Sequence, residues 1–323
     1  MLKKHILKKL VAATALSVLA AGSAWAFPTK PINIVVPYAP GGATDSTARI
    51  LATALQKVSG NSFIIENVPG AGTTIGANKV AKAPADGHTL LFGGLSANIL
   101  APEINKKVIN FDAQDFEPIV QIAAQPLILV VNSNSPYTSL AELIKTAAAK
   151  PGTLNFGSPG NGSAPHMISE LFLIAANIKA THIPFKGAAP AMAALMGGEI
   201  DFLLDTPTAP MPQVAAGKLK GLGISTTQRA QKLEQIPTMD EQGVKGFEAN
   251  TWFALFAPKG TPEAVLKTLN EQVNKALQDP DVKARMLDAY LYPAGGSRED
   301  LQRFTDAERA RWAQIIQSKI QQN

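Results

Sequence analysis

The chain has 323 residues, a formal net charge of +5, 46% apolar residues and no cysteine. Without cysteine an exported chain has no disulfides and no cysteine-borne lipid anchor, so the fold must stand on its core. Charges are scattered, with no basic stripe interleaved with aromatics, which argues against nucleic acid as a partner.

Residues 1–26 read as a secretory leader. Lys3, Lys4, Lys8 and Lys9 form a basic start, residues 10–21 an apolar run, and Ala24-Trp25-Ala26 a small-x-small cleavage site. The run is shorter than the ~20 residues of a membrane span, and no later run is long enough either. Cleavage after Ala26 removes four lysines and leaves a near-neutral chain, not embedded in a membrane.

The mature chain opens with a β-branched strand over 34–36, followed by Pro37, Pro40, Gly41 and Gly42. Thr44 and Asp45 are candidate N-caps, and Ala48, Leu51, Ala52 and Leu55 give the next helix one apolar face. Such a strand–glycine loop–helix junction either turns a corner or aims unpaired N–H groups at an anion. It is neither G-x-G-x-x-G nor G-x-x-x-x-G-K-[ST], so dinucleotide and P-loop chemistry lack their residues.

Further strands are expected over 62–66 and 88–92, with a glycine loop over 67–76, a helix near 77–82 and a polar connection over 111–118. These units predict a parallel sheet. A strand over 127–131 and a helix over 140–149 precede a repeat of the opening device. This is a strand over 154–157, the loop 158–163, Ser163 as N-cap, and a helix with Ile168, Leu171, Phe172 and Ala175 on one face. Two such units can point two helix N-termini into one cleft. Strands over 180–183, 200–204 and 219–225 follow, then one over 252–257 returning to the first sheet. The terminal helix buries Leu301, Phe304, Trp312, Ile315 and Ile316 behind an S-x-x-D cap at Ser297. Chain crossings near 121–125 and 248–251 give a discontinuous first domain, 27–125 plus 250–323, and a second, 126–249, with the cleft between them.

The histidines lack metal-ligand spacing. His88 is expected exposed, His182 structural, and His166 either cleft-lining or packed. No G-x-S-x-G elbow occurs, although Ser158 with His166 remains a possible nucleophile–base pair. Asp45 and Asp205 are either paired carboxylates or local fixers of backbone, and Lys186 either a ligand contact or a solvated charge.

The motifs together resemble the Bug family, the periplasmic solute-binding proteins of tripartite tricarboxylate transporters. The matching stretches include PYAPGGATDSTAR from Pro37, ENVPGAGTTIGA from Glu66, ADGHTLL from Ala85, NFGSPGNGSAPHMISELF from Asn155 and HIPFKGAAPAMAALMGGEIDFLLD from His182. Phe185 and His88 stand where tyrosine is usual. The resemblance implies an α/β, two-domain periplasmic-binding-protein-like fold that captures a small carboxylate without a cofactor, catalytic group or metal. It implies a monomer that hands its ligand to membrane subunits. By that resemblance the carboxylate is held by Tyr38, Ala39, Gly41, Gly42 and Thr44 in the first loop and by Ser158, Gly162 and Ser163 in the second. His166 lines the cleft, and Ser96 and Asp205 are candidates for the distal end of the ligand. An exported enzyme acting on a small acid, or a ligand sensor for a membrane partner, are the alternative readings.

Overall fold

The structure, a computed structural model, describes residues 27–104 and 109–320; the expected leader lies outside the described residues. In the unit Pro31–Asn323, β1 (Ile32–Val36), helix α1 (Ala43–Ser59), β2 (Phe63–Asn67), α2 (Thr74–Ala81) and β3 (Thr89–Gly94) come first. A π-helical turn, Leu95–Leu100, runs into α3 (Ala101–Ile104). Then come β4 (Phe116–Pro126), β5 (Ile128–Asn132), α4 (Leu140–Ala149), β6 (Asn155–Ser158), α5 (Ala164–Ala175) and β7 (Thr181–Pro184). α6 (Ala188–Gly197), β8 (Phe202–Asp205), α7 (Pro210–Ala215) and β9 (Leu219–Ile224) complete the middle of the chain. β10 (Asn250–Pro258), α8 (Glu263–Gln278), α9 (Pro280–Asp288), β11 (Tyr292–Gly295) and α10 (Arg298–Ile320) close it.

Two sheets result, ordered β11-β4-β10-β3-β1-β2 and β7-β6-β8-β5-β9. The first holds the opening and closing parts of the chain, the second its middle, which makes two α/β lobes. Both are mixed rather than parallel. β1 pairs parallel with β2 and β3, and β6 with β7 and β8, but β10 runs antiparallel to β3 and β4, and β5 to β8 and β9. The long connecting strands impose this, because they must leave one sheet and enter the other. Of the polar connection expected over 111–118, residues 111–115 are a connection with a short 3-10 turn, Ala113–Asp115, but 116–118 already belong to β4. Pro118 disguises it, sitting where the β4–β10 register shifts and a ladder N–H is dispensable.

The lobes are joined where β4 becomes β5, with only Leu127 between, and where Ala249 enters β10. Ser225, fully buried, ties the two crossings together. Its Oγ accepts from Leu127 N at 2.8 Å and donates to Ala249 O at 2.5 Å, while its own N–H donates to Leu127 O. Ser225→Ala would orphan a buried N–H and a buried C=O, at roughly 1–3 kcal/mol each. We expect the urea midpoint to fall accordingly; a stability within about 0.5 kcal/mol of wild type, the usual range for a surface change, would refute that role.

A single apolar cluster runs through both lobes, from Val35 and Leu91 to Leu129, Phe156 and Leu204. The terminal helix packs on it through Leu301 and Trp312, with Phe304, Ile315 and Ile316 partly buried. His88 is buried rather than exposed. Its backbone N–H donates to Asp86 Oδ1, which closes the preceding turn.

Candidate functional site

The first glycine loop is stapled from within. Gly42, not Thr44 or Asp45, is the N-cap of α1. Asp45 lies in the first turn and is 3% exposed. Its Oδ2 accepts from Gly41 N at 2.9 Å and from Arg49 Nε at 3.0 Å, and its Oδ1 from Asn67 Nδ2 at 2.9 Å. Asn67 also donates to Tyr38 O. Burial opposes ionisation of Asp45, but the Arg49, Gly41 and Asn67 bonds outweigh it and hold the carboxyl below its ordinary range. Two consequences follow. Gly41 shapes the loop at φ +86°, but its N–H is already used. The positive end of α1 is already partly compensated by a carboxylate.

The second loop is built differently. Ser163 caps α5, its Oγ accepting from His166 N at 3.4 Å and donating to Gly160 O at 2.8 Å. No acidic residue lies in the first turn of α5, so this helix end is uncompensated. Ser158, fully buried, accepts from Gly160 N at 3.1 Å, and its Oγ lies 2.7 Å from His182 Nε2. Gly162 N donates to His166 Nδ1 at 3.0 Å, so Gly162, like Gly41, is a bend whose donor is used inside the loop. Ser158 therefore pairs with His182 and not with His166. The parallel β6–β7 register sets Phe156 against His182 and so brings that ring beneath the loop.

Across the lobes, Ser96, buried after β3, accepts from Ala164 N in the first turn of α5 at 3.2 Å. The Tyr38 hydroxyl bonds to Ser96; burial of that hydroxyl raises its pKa and the bond opposes the rise. Ile104 Cδ1 lies 3.5 Å from where a Cβ on Gly162 would sit. Tyr38 and Ser96 are thus brought to the N-terminus of α5, together with Ser163, Gly162 and His166. Ala39, Gly41 and Gly42 are exposed on the first loop, and Thr44 is half-buried at its end.

Asp205 stands apart. It closes β8, where Phe202 and Leu204 face the cluster containing α5 while Leu203 faces that containing α6. Strand alternation therefore puts Asp205 on the α6 face. Its Oδ1 accepts from Thr206 N at 2.7 Å, its buried Oδ2 has no partner, and burial pushes its pKa up to about 6 against the Thr206 bonds. Lys186 is exposed. Among the described residues no group of three His, Cys, Asp or Glu could hold a metal, and no helix is long and apolar enough to cross a membrane.

A cavity of about 540 Å³ opens beside the crossing strands, lined by Gln125, Asn250, Thr226 and Tyr292 among others, and by none of the expected site residues. It lies toward β11, the edge of the sheet away from β1 and β3. Over α5, Ser96 of one lobe and Ala164 of the other are in direct hydrogen-bond contact in this conformation. Sequence reading missed His182, Arg49 and Asn67. Asn67 and His182 act through partners on other elements, which strand register reveals, whereas Arg49 reaches Asp45 four residues earlier on its own helix.

Two α/β lobes joined by crossing strands, with facing loops at the cleft ends of their strands, define a periplasmic binding protein. The chain belongs to the tripartite tricarboxylate transporter family of receptors, TctC, which it matches over residues 47–320. It is 35% identical over 299 residues to Protein BugT of Bordetella pertussis, covering 91% of this chain and 90% of that one. Among solved structures it is similar to an adipate-bound protein of R. palustris, with TM-score 0.83 and 35% identity over 90% of this chain and 97% of the other. It is also similar to MatC of Rhodopseudomonas palustris with bound malate, with TM-score 0.81 and 31% identity over 90% of this chain and 100% of the other. The chain is a solute-binding protein of this family.

Proposed function

We propose that the protein captures a small carboxylate between its lobes and delivers it to the membrane subunits of a tripartite tricarboxylate-type transporter. The observation that carries this is the N-terminus of α5, hydroxyl-capped, free of acidic residues in its first turn, and facing Ser96 of the opposite lobe. A carboxylate oxygen entering the cleft takes over Ala164 N–H from Ser96. It gains further bonds from Ser158 and Ser163 and from the first-turn N–H groups of α1 beside Gly42 and Thr44. The adipate and malate held by the two relatives fit this chemistry. Sheet membership supports domain limits of 27–125 plus 250–323 and 126–249. The leader-like residues 1–26 support export to the periplasm with cleavage after Ala26.

Calorimetry with succinate, malate, adipate, citrate, aspartate and glutamate tests this. One acid should bind at one per chain and be recovered unchanged, and its amide should bind about a hundredfold worse for want of the charge-assisted bonds. Ser158→Ala should weaken binding about tenfold, one hydrogen bond's worth, and Lys186→Ala by less than about threefold, as for an exposed charge. If no acid binds, the reading fails.

The Ser158–His182 contact has the shape of a nucleophile–base pair and so favours the enzyme reading. Against it, Ser158 is fully buried, and burial first, then neighbouring His166, lower the His182 pKa to about 4, a weak base at neutral pH. Turnover of an acid derivative by wild type, lost in Ser158→Ala, would establish catalysis instead.

A further inference from the structure

Beneath the second loop lie two imidazoles that the carboxylate reading leaves without a task. The rings of His166 on α5 and His182 on β7 stack with centroids 3.9 Å apart and planes 17° from parallel. Phe156 of β6 stacks on His182 at 4.9 Å and on Phe202 of β8 at 5.6 Å, which fixes the plane of the pair. Each histidine holds one end of the loop, His182 at Ser158 and His166 at Gly162.

We propose that His166 and His182 are paired positioning residues, stacked and uncharged, that pin Gly162 and Ser158 and leave the Ser158 hydroxyl proton available to an incoming acid. The last part rests on the carboxylate reading; the pinning does not. The protonation of His166 follows from geometry. Its Nδ1 accepts from Gly162 N, so it carries no proton, and the ring proton sits on Nε2, 3.5 Å from Glu170 Oε1. An imidazolium would turn a second N–H toward Gly162 and break the bond.

The tautomer of His182 follows from Ser158. That hydroxyl has one proton and three neighbours: Gly160 N, Gly160 O at 3.2 Å and His182 Nε2. Were the proton given to His182, the oxygen would turn only lone pairs toward a carboxylate. With the imidazole proton on Nε2, His182 donates. The hydroxyl proton then rests on Gly160 O in the empty cleft and swings to the acid in the filled one. Stacking keeps the two rings from both carrying a charge, and burial first, then His166, depresses His182 to about 4. Glu170 of α5 is the carboxylate at the pair, while β6 and β8 contribute uncharged Phe156 and Phe202.

Nitrogen-15 NMR of the wild-type protein without ligand tests the assignment directly. Both rings should be Nε2–H tautomers at pH 7, with His182 titrating well below the ordinary imidazole value. A Nδ1–H tautomer at His182, or titration near the ordinary value, overturns the proposal. Amide exchange separates positioning from packing. His166→Asn puts an amide oxygen where Nδ1 stood, and His182→Gln puts an amide nitrogen where Nε2 stood. His166→Leu and His182→Phe keep apolar bulk alone. Exchange at Gly162 in the His166 pair and at Gly160 in the His182 pair should quicken about tenfold or more in Leu and Phe and stay near wild type in Asn and Gln. Equal exchange in each pair would mean that the rings only fill space. A loop pinned as expected in a protein that binds none of the six acids would leave the positioning pair standing and sink the carboxylate reading alone.

Discussion

Gly42→Val should cost about a hundredfold in acid affinity, ~2.7 kcal/mol, while the empty protein melts close to wild type. Gly42 caps α1 at φ −81° and ψ 174°, extended backbone open to any L residue. A Cβ built there meets nothing within 4 Å. Valine is a poorer N-cap than glycine, a loss of under about 1 kcal/mol, or a few degrees in Tm. In the filled cleft, however, its branches occupy the space from which an oxygen reaches the first-turn N–H groups of α1. The same exchange at Gly162 is a poorer test. Gly162 sits at φ +73°, where a β-branched residue costs roughly 1–3 kcal/mol of strain, and stability would fall together with binding. Wild-type affinity in Gly42→Val would show that the opening loop does not meet the ligand.

The two strand–glycine loop–helix units were legible because each carries its own local signals: a β-branched or apolar strand, Pro/Gly punctuation, a cap and a 3.6-residue apolar stripe. Ser163 is the clearest case, read as a cap and found as one. Elements lacking such signals were not legible. β4 contains Glu117 and Pro118 and owes its strand state to pairing with β10 across more than a hundred residues of chain. α7, α9 and β11 are short and gain their form from docking. Within the site, residue types were readable but roles were not. Asp45 looked like a cap and is a staple, because Gly41 bends its N–H back onto the carboxylate. The His166–His182 stack needs the β6–β7 register, which no local pattern states.

Asp205→Asn should stabilise the empty protein at pH 7.5 and destabilise it by about 1–2 kcal/mol near pH 4, where the relief of the buried charge has largely gone. The sign follows from the direction of the shift. The carboxyl titrates at about 6 when folded against an ordinary 3.8, so the native state holds this proton more tightly than the unfolded chain. Its contribution to stability improves as pH falls through 6 toward 3.8 and is most adverse above 6, by an amount on the order of 3 kcal/mol at 1.36 kcal/mol per unit. Asparagine keeps the bond from Thr206 N and removes the charge, but sets an amide N–H where Oδ2 lacked a partner, which returns about 1–3 kcal/mol. The net expectation is a gain of about 1 kcal/mol at pH 7.5, read as the difference between variant and wild type in urea. A variant less stable than wild type at pH 7.5 would mean that the ionised carboxylate is not a burden. Affinity for succinate and adipate should hold within about threefold, less than a typical hydrogen bond, because Asp205 shares the face of Leu203 and not that of Ser158. A loss confined to malate, citrate, aspartate and glutamate, the acids that carry a donor, would instead place Oδ2 against the ligand. The burden of a buried charge would then be the cost of recognising that donor.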